Sequence, residues 1–128
     1  DLRRDILPLL RDSYQGTPYD LSKGLAAGPF SSPIRYDTDG ETKYHQGAWE
    51  RAVSIFRGMY AFVAEVRPWL PDAIGAKITY GWDVPGTAVF HPLWTSADVL
   101  PLGYDVYGRQ SVFEKESSWR PFNIMNNW

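Results

Sequence analysis

Cysteine is absent from the 128 residues. Without it there is no disulfide framework, no thiolate nucleophile and no thiolate-ligated zinc or iron–sulfur centre. Histidine is scarce too: only His45 and His91 are present, and neither belongs to a short helical zinc spacing. No apolar run approaches the roughly 18 residues that would span a bilayer. The opening Asp1-Leu2-Arg3-Arg4 is not followed by the apolar stretch of a secretory leader. No membrane contact and no targeting segment are therefore expected. Clustered charge is also missing. Lys and Arg number 13 against 15 Asp and Glu, a net of −2, and acidic Asp1 and Asp5 bracket the Arg3-Arg4 pair. Nucleic-acid binding draws on grouped cations that displace counterions, so no nucleic-acid partner is expected.

What the chain has in excess is aromatic: 6 Trp, 8 Tyr and 6 Phe. Such residues serve both cores and recognition surfaces. The 11 Gly and 10 Pro favour tight turns and short elements. A chain of this length buries a core without staples and reads as one α+β domain over residues 1–128. The expected architecture is a mostly antiparallel sheet of hairpins packed on one central amphipathic helix, with a short N-terminal helix.

Leu2, Ile6, Leu9, Leu10 and Tyr14 recur at helical spacing. Pro8 confines the N-terminal helix to about residues 7–14, where it occupies the first turn. Residues 16–33 carry Gly16, Pro18, Gly24, Gly28, Pro29 and Pro33 without periodicity and read as an irregular loop. Asp39-Gly40, between residues 34–38 and 41–45, is a favoured type I′ hairpin pair. Residues 48–66 place Trp49, Ala52, Val53, Phe56, Met59, Tyr60, Val63 and Val66 on a wide apolar stripe, which predicts the core helix. From residue 77 the period becomes two, with Ile78, Tyr80 and Trp82 on the side expected to bury. Pro85-Gly86 turns the chain toward a return strand over residues 87–93, where Pro92 implies an edge. A last hairpin is expected to join residues 104–107 to 110–114 through Gly108-Arg109. Residues 117–128, rich in Asn and holding Trp119 and Trp128, could dock elsewhere.

No motif specifies a reaction. Asp37, Asp39 and Glu41 invite a calcium loop, but aligning Gly40 to its glycine puts Arg35 and Gln46 where acidic ligands are needed. With Asp83 paired to Thr87, His91 sits four residues along the strand from Asp83. That separation is about 13 Å at ~3.3 Å per residue, too far for an acid/base pair. No catalytic residue, metal site or cofactor is assigned.

The reading this favours is a non-catalytic protein–protein interaction or assembly module, such as a viral particle component or a toxin-neutralising protein. Its partner would be another protein or a second copy. The binding residues would be Tyr36, Asp39 and Tyr44 on the hairpin with Trp94, Trp119 and Trp128. One alternative is a small hydrolase or transferase using His91 or His45 with a carboxylate. A second is a carbohydrate-binding module stacking sugars on Trp and Tyr.

Overall fold

The computed structural model describes residues 1–34, 50–105 and 113–127. They fall into two compact units, 1–56 and 57–128, taken separately below. The hairpin centred on Asp39-Gly40, with Tyr36, Tyr44 and His45, lies outside the described residues, as do the turn at Gly108-Arg109 and Trp128.

In the first unit, Asp1 accepts from the backbone N–H of Arg3 at 2.9 Å and of Arg4 at 3.3 Å, capping a wide helical turn over Leu2–Ile6. Helix α1 (Leu7–Leu10) follows, with Pro8 in the first turn, where its missing N–H is no loss. It stops at Leu10 and does not reach Tyr14. Residues 16–33 are more ordered than their composition suggests. They include a 3-10 stretch, Leu25–Phe30, kinked at Gly28, where φ is 64° and a side chain would be strained. Leu21, Ala26 and Ala27 supply the small core. The unit is tied across by Ser54 N–H donating to the Asp12 carbonyl and Leu21 N–H to the Ser13 carbonyl, both at 3.1 Å.

The second unit is an antiparallel three-stranded sheet in the order β1 (Tyr60–Val66), β2 (Ala76–Trp82), β3 (His91–Trp94). Among the described residues it is accompanied by α2 (Asp72–Gly75), α3 (Leu102–Asp105) and α4 (Trp119–Asn127). The α+β class therefore stands. The central helix expected over residues 48–66 is corrected: residues 50–59 have no helix, and Tyr60–Val66 is a strand. Tyr, Phe and Val suit a pleated surface, and Gly58 weakens a helix at that point by about 1 kcal/mol. Pairing with β2 along Tyr60↔Trp82 through Val66↔Ala76 decides the matter. The Glu65 carboxylate and Lys77 ammonium meet at 2.6 Å across the same ladder.

The sheet's faces are also the reverse of expectation. Thr79, Gly81 and Asp83 are buried, whereas Tyr80 and Trp82 are half-buried. Gly81 explains the inversion. A Cβ there would meet the Phe90 ring at 3.0 Å and the Ala88 Cβ at 3.1 Å, so glycine lets those residues lie against the strand. The return strand pairs Tyr80 with His91 and Thr79 with Pro92, one residue off the expected register. A one-residue slip moves every side chain to the other face, so His91 shares a face with Tyr80 rather than with Thr79. Pro92 does sit on an edge strand of the described sheet.

The start of α4 carries Pro121, harmless in a first turn whose N–H groups have no intrahelical acceptor in any case. Of residues 117–128, the segment that could dock elsewhere, Trp119–Asn127 form a helix, and Ser117 ahead of it is buried. Tyr104 and Asp105, the start of the hairpin strand expected over residues 104–107, lie in α3 instead.

Candidate functional site

Polar chemistry concentrates in the second unit, where the loop after β2 meets α4. Asp83 follows the central strand in the left-handed region, with φ 64°, a conformation Asp tolerates better than most side chains. Its N–H donates to the Met59 carbonyl at 2.8 Å. Only 4% of its surface is exposed. The Asn126 side-chain Nδ2 donates to Asp83 Oδ2 at 2.6 Å. The Thr87 hydroxyl donates to Asn126 Oδ1 and lies 3.2 Å from the Val84 carbonyl. Carboxylate and hydroxyl together fix which end of the amide is which. A turn closed by Thr87 N–H and Ala88 N–H onto the Val84 carbonyl brings Thr87 to this position.

A second polar group stands at the other end of α4. Arg120 is 8% exposed, its guanidinium carbon 5.0 Å from the centroid of the Trp119 ring. Trp119 Nε1 and Arg120 Nε and Nη2 are buried without a hydrogen-bond acceptor. Ser118 N–H donates to the Gly103 carbonyl at 2.8 Å, joining α3 to the start of α4. Tyr104, one residue beyond Gly103, also has a buried hydroxyl without a partner.

Tyr104 belongs to an aromatic cluster on the open sheet face. Its ring centroid is 5.6 Å from Trp82 and 6.0 Å from each of Tyr80 and His91. Tyr60 stacks on Tyr80 at 5.6 Å, yet Tyr60 and Phe62 remain 54% and 51% exposed. Burial, reinforced by Tyr60 and Tyr104, pushes the Tyr80 hydroxyl up to about 12, and burial raises Tyr104. His91 is exposed, with its ring edge-on to that of Tyr104. Among the described residues it has no carboxylate partner.

The first unit holds a cleft of about 520 Å³ lined by Tyr14, Tyr19, Lys23, Leu25, Glu50 and Arg51 among others. Tyr14, at φ 63°, donates its hydroxyl to the Arg51 carbonyl at 3.1 Å. Nearby Asp20 accepts from the Ser22 hydroxyl at 2.6 Å and from the N–H groups of Ser22 and Gly16. These bonds, the Ser22 hydroxyl foremost, pull its carboxyl down to about 2.

Of the six residues assigned to binding from the sequence, Tyr36, Asp39, Tyr44 and Trp128 lie outside the described residues. Trp94 ends β3 and Trp119 begins α4. Among the described residues no three His, Asp or Glu side chains gather as a metal would require. Among the described residues no helix is long and apolar enough to cross a membrane.

A family model for peptidase family C69 matches residues 4–127. The chain belongs to that family. Comparison with curated proteins and with solved structures returns no match. Membership overturns the reading as a non-catalytic assembly module, whether viral or toxin-neutralising, and points instead to a hydrolase. The hydrolase alternative gains its class from the family, but among the described residues His91 has no carboxylate partner, and His45 is outside the described residues. The Asp83–Asn126–Thr87 group and Arg120 were missed from sequence, which singled out Trp119 alone of the residues at the start of α4. The signals were there in part: an Asp ahead of a Pro-Gly turn, and Asn in the last segment. Nothing in the sequence joined them across 43 residues of chain.

Proposed function

We propose that this C69 family protein acts in the hydrolysis of peptide bonds. The family match over residues 4–127 carries the reading. Amide hydrolysis asks for a nucleophile, a group to carry protons and donors for the oxygen that gains charge. These 128 residues hold no cysteine, so they do not supply a thiolate. What the second unit offers is an amide donor held in place. Asn126 has two N–H bonds, and Asp83 takes one. An oriented donor of this kind suits a carbonyl oxygen of a bound peptide, because it needs no reorganisation when charge develops.

The test is to incubate the purified protein with short peptides of several lengths and follow the appearance of free amines. Cleavage is expected, and it should fall when Asn126 is replaced by Ala. A protein that cleaves no peptide across such a set would contradict the reading.

A further inference from the structure

We propose that the cleft of the first unit is a binding site for one large uncharged side chain of a peptide, aromatic or branched aliphatic. That the side chain belongs to a peptide rests on the peptidase reading; the apolar, uncharged chemistry rests on the cleft itself. Its volume of about 520 Å³ falls in the range of sites that enclose small molecules. Two apolar lining residues, Leu21 and Ala26, are closed to water, at 2% and 6% exposed. Two others, Tyr19 and Leu25, are 77% and 81% exposed. Single exposed apolar groups are ordinary on a surface, but these two border a concavity with an apolar interior, the arrangement of a binding site.

The cleft is already set for an occupant. Tyr14 keeps a left-handed backbone, φ 63°, while its hydroxyl donates to the Arg51 carbonyl and its N–H to Asp12 Oδ1 at 2.7 Å. Such a conformation persists where surrounding bonds over-determine it. Leu21 is fixed by the donation of its N–H to the Ser13 carbonyl. Groups held in place beforehand lose little freedom when a ligand arrives. Charge then selects the occupant. The lining carries two acids, Asp20 and Glu50, and two bases, Lys23 and Arg51, so no counter-charge is left over. Asp20 and Lys23 offset one another at 3.4 Å, and Asp20 is further committed to Ser22 and Gly16. A charged side chain entering over Leu21 and Ala26 would give up water without net compensation. An uncharged apolar one gains with each part of its surface that is covered, and the rings of Tyr14 and Tyr19 favour an aromatic partner.

The probes are the N-acetyl amides of phenylalanine, leucine, alanine, lysine and glutamate, single residues blocked at both ends so that terminal charges play no part. Their binding is measured by isothermal titration calorimetry, and turnover separately on peptides carrying the same five residues. The unaltered protein should bind the phenylalanine and leucine probes at least roughly ten-fold more tightly than the alanine probe, the scale of burying a large apolar side chain. The lysine and glutamate probes should bind no better than alanine. Tyr19→Ser and Leu25→Ser should each narrow the preference, and the double variant should abolish it. The thermal midpoint should stay put, because both side chains are mostly exposed; the single variants serve if the double variant does not fold. Equal binding of the phenylalanine and alanine probes by the unaltered protein, tighter binding of a charged probe, or an undiminished preference in the variants would overturn the proposal. A side-chain preference in binding, with no peptide cleaved, would instead count against the peptidase reading and leave the cleft's role standing.

Discussion

Replacing Asn126 by Ala isolates the bond on which the site's geometry depends. The change deletes the 2.6 Å donation to Asp83 Oδ2 and the acceptor used by the Thr87 hydroxyl. Asp83 is 4% exposed, so water does not readily replace the lost donor. Hydrogen bonds to charged groups contribute about 1.5–3 kcal/mol, and an orphaned buried acceptor incurs its desolvation penalty. A loss of about 2 kcal/mol follows, a roughly 30-fold fall in the ratio of folded to unfolded protein. Thr87→Val removes the other end of the network and leaves the Asp83 bond in place. Its cost should be about 1 kcal/mol, that of a neutral hydrogen bond. Because both variants act through one amide, the double variant should cost less than the two together, a coupling that distant sites do not show. Urea denaturation of the four proteins gives each value. An Asn126→Ala variant within about 0.5 kcal/mol of the unaltered protein, the range of ordinary surface changes, would refute this account of Asp83.

Two other outcomes follow from the second unit. Gly81→Val should destabilise by about 1–3 kcal/mol through overpacking, since even a Cβ meets the Phe90 ring at 3.0 Å; calorimetry showing an unchanged midpoint would contradict the packing. Tyr80 should make stability sensitive to strong alkali. Its folded-state value is raised above the ordinary 10.0 to about 12. The stability it contributes is complete below pH 10 and is lost as pH rises through about 12. Tyr80→Phe should flatten that fall, and an unaltered alkaline profile would count against it.

The parts of the fold readable from sequence were those in which one local signal acts alone. Pro92 marked an edge strand because it has no N–H to give a central ladder, and the alternation of Ile78, Tyr80 and Trp82 marked β2 because a period of two is the pleat of a strand. Residues 48–66 misled because Phe56, Met59, Tyr60 and Val63 satisfy a helical period while Tyr60, Phe62, Ala64 and Val66 satisfy a strand's. Pairing with β2, a tertiary effect, settled that conflict. The sheet's buried face was misread for a related reason. Large aromatics such as Tyr80 and Trp82 look like core, yet the tightest packing forms over Gly81, whose lack of a side chain admits Phe90 and Ala88. The candidate site was least legible. Asp83 with Asn126, and Ser118 with Gly103, are contacts between distant stretches of chain, and the donors of Trp119 and Arg120 become anomalous only once burial removes water from them.

The central claim is that this C69 family chain serves peptide-bond cleavage, and mass spectrometry of defined peptides incubated with the protein tests it most directly. The account predicts new fragments whose masses sum to the intact peptide plus one water, forming at a rate proportional to protein concentration. Peptides recovered whole after prolonged incubation, from a protein shown by circular dichroism to be folded, would contradict it.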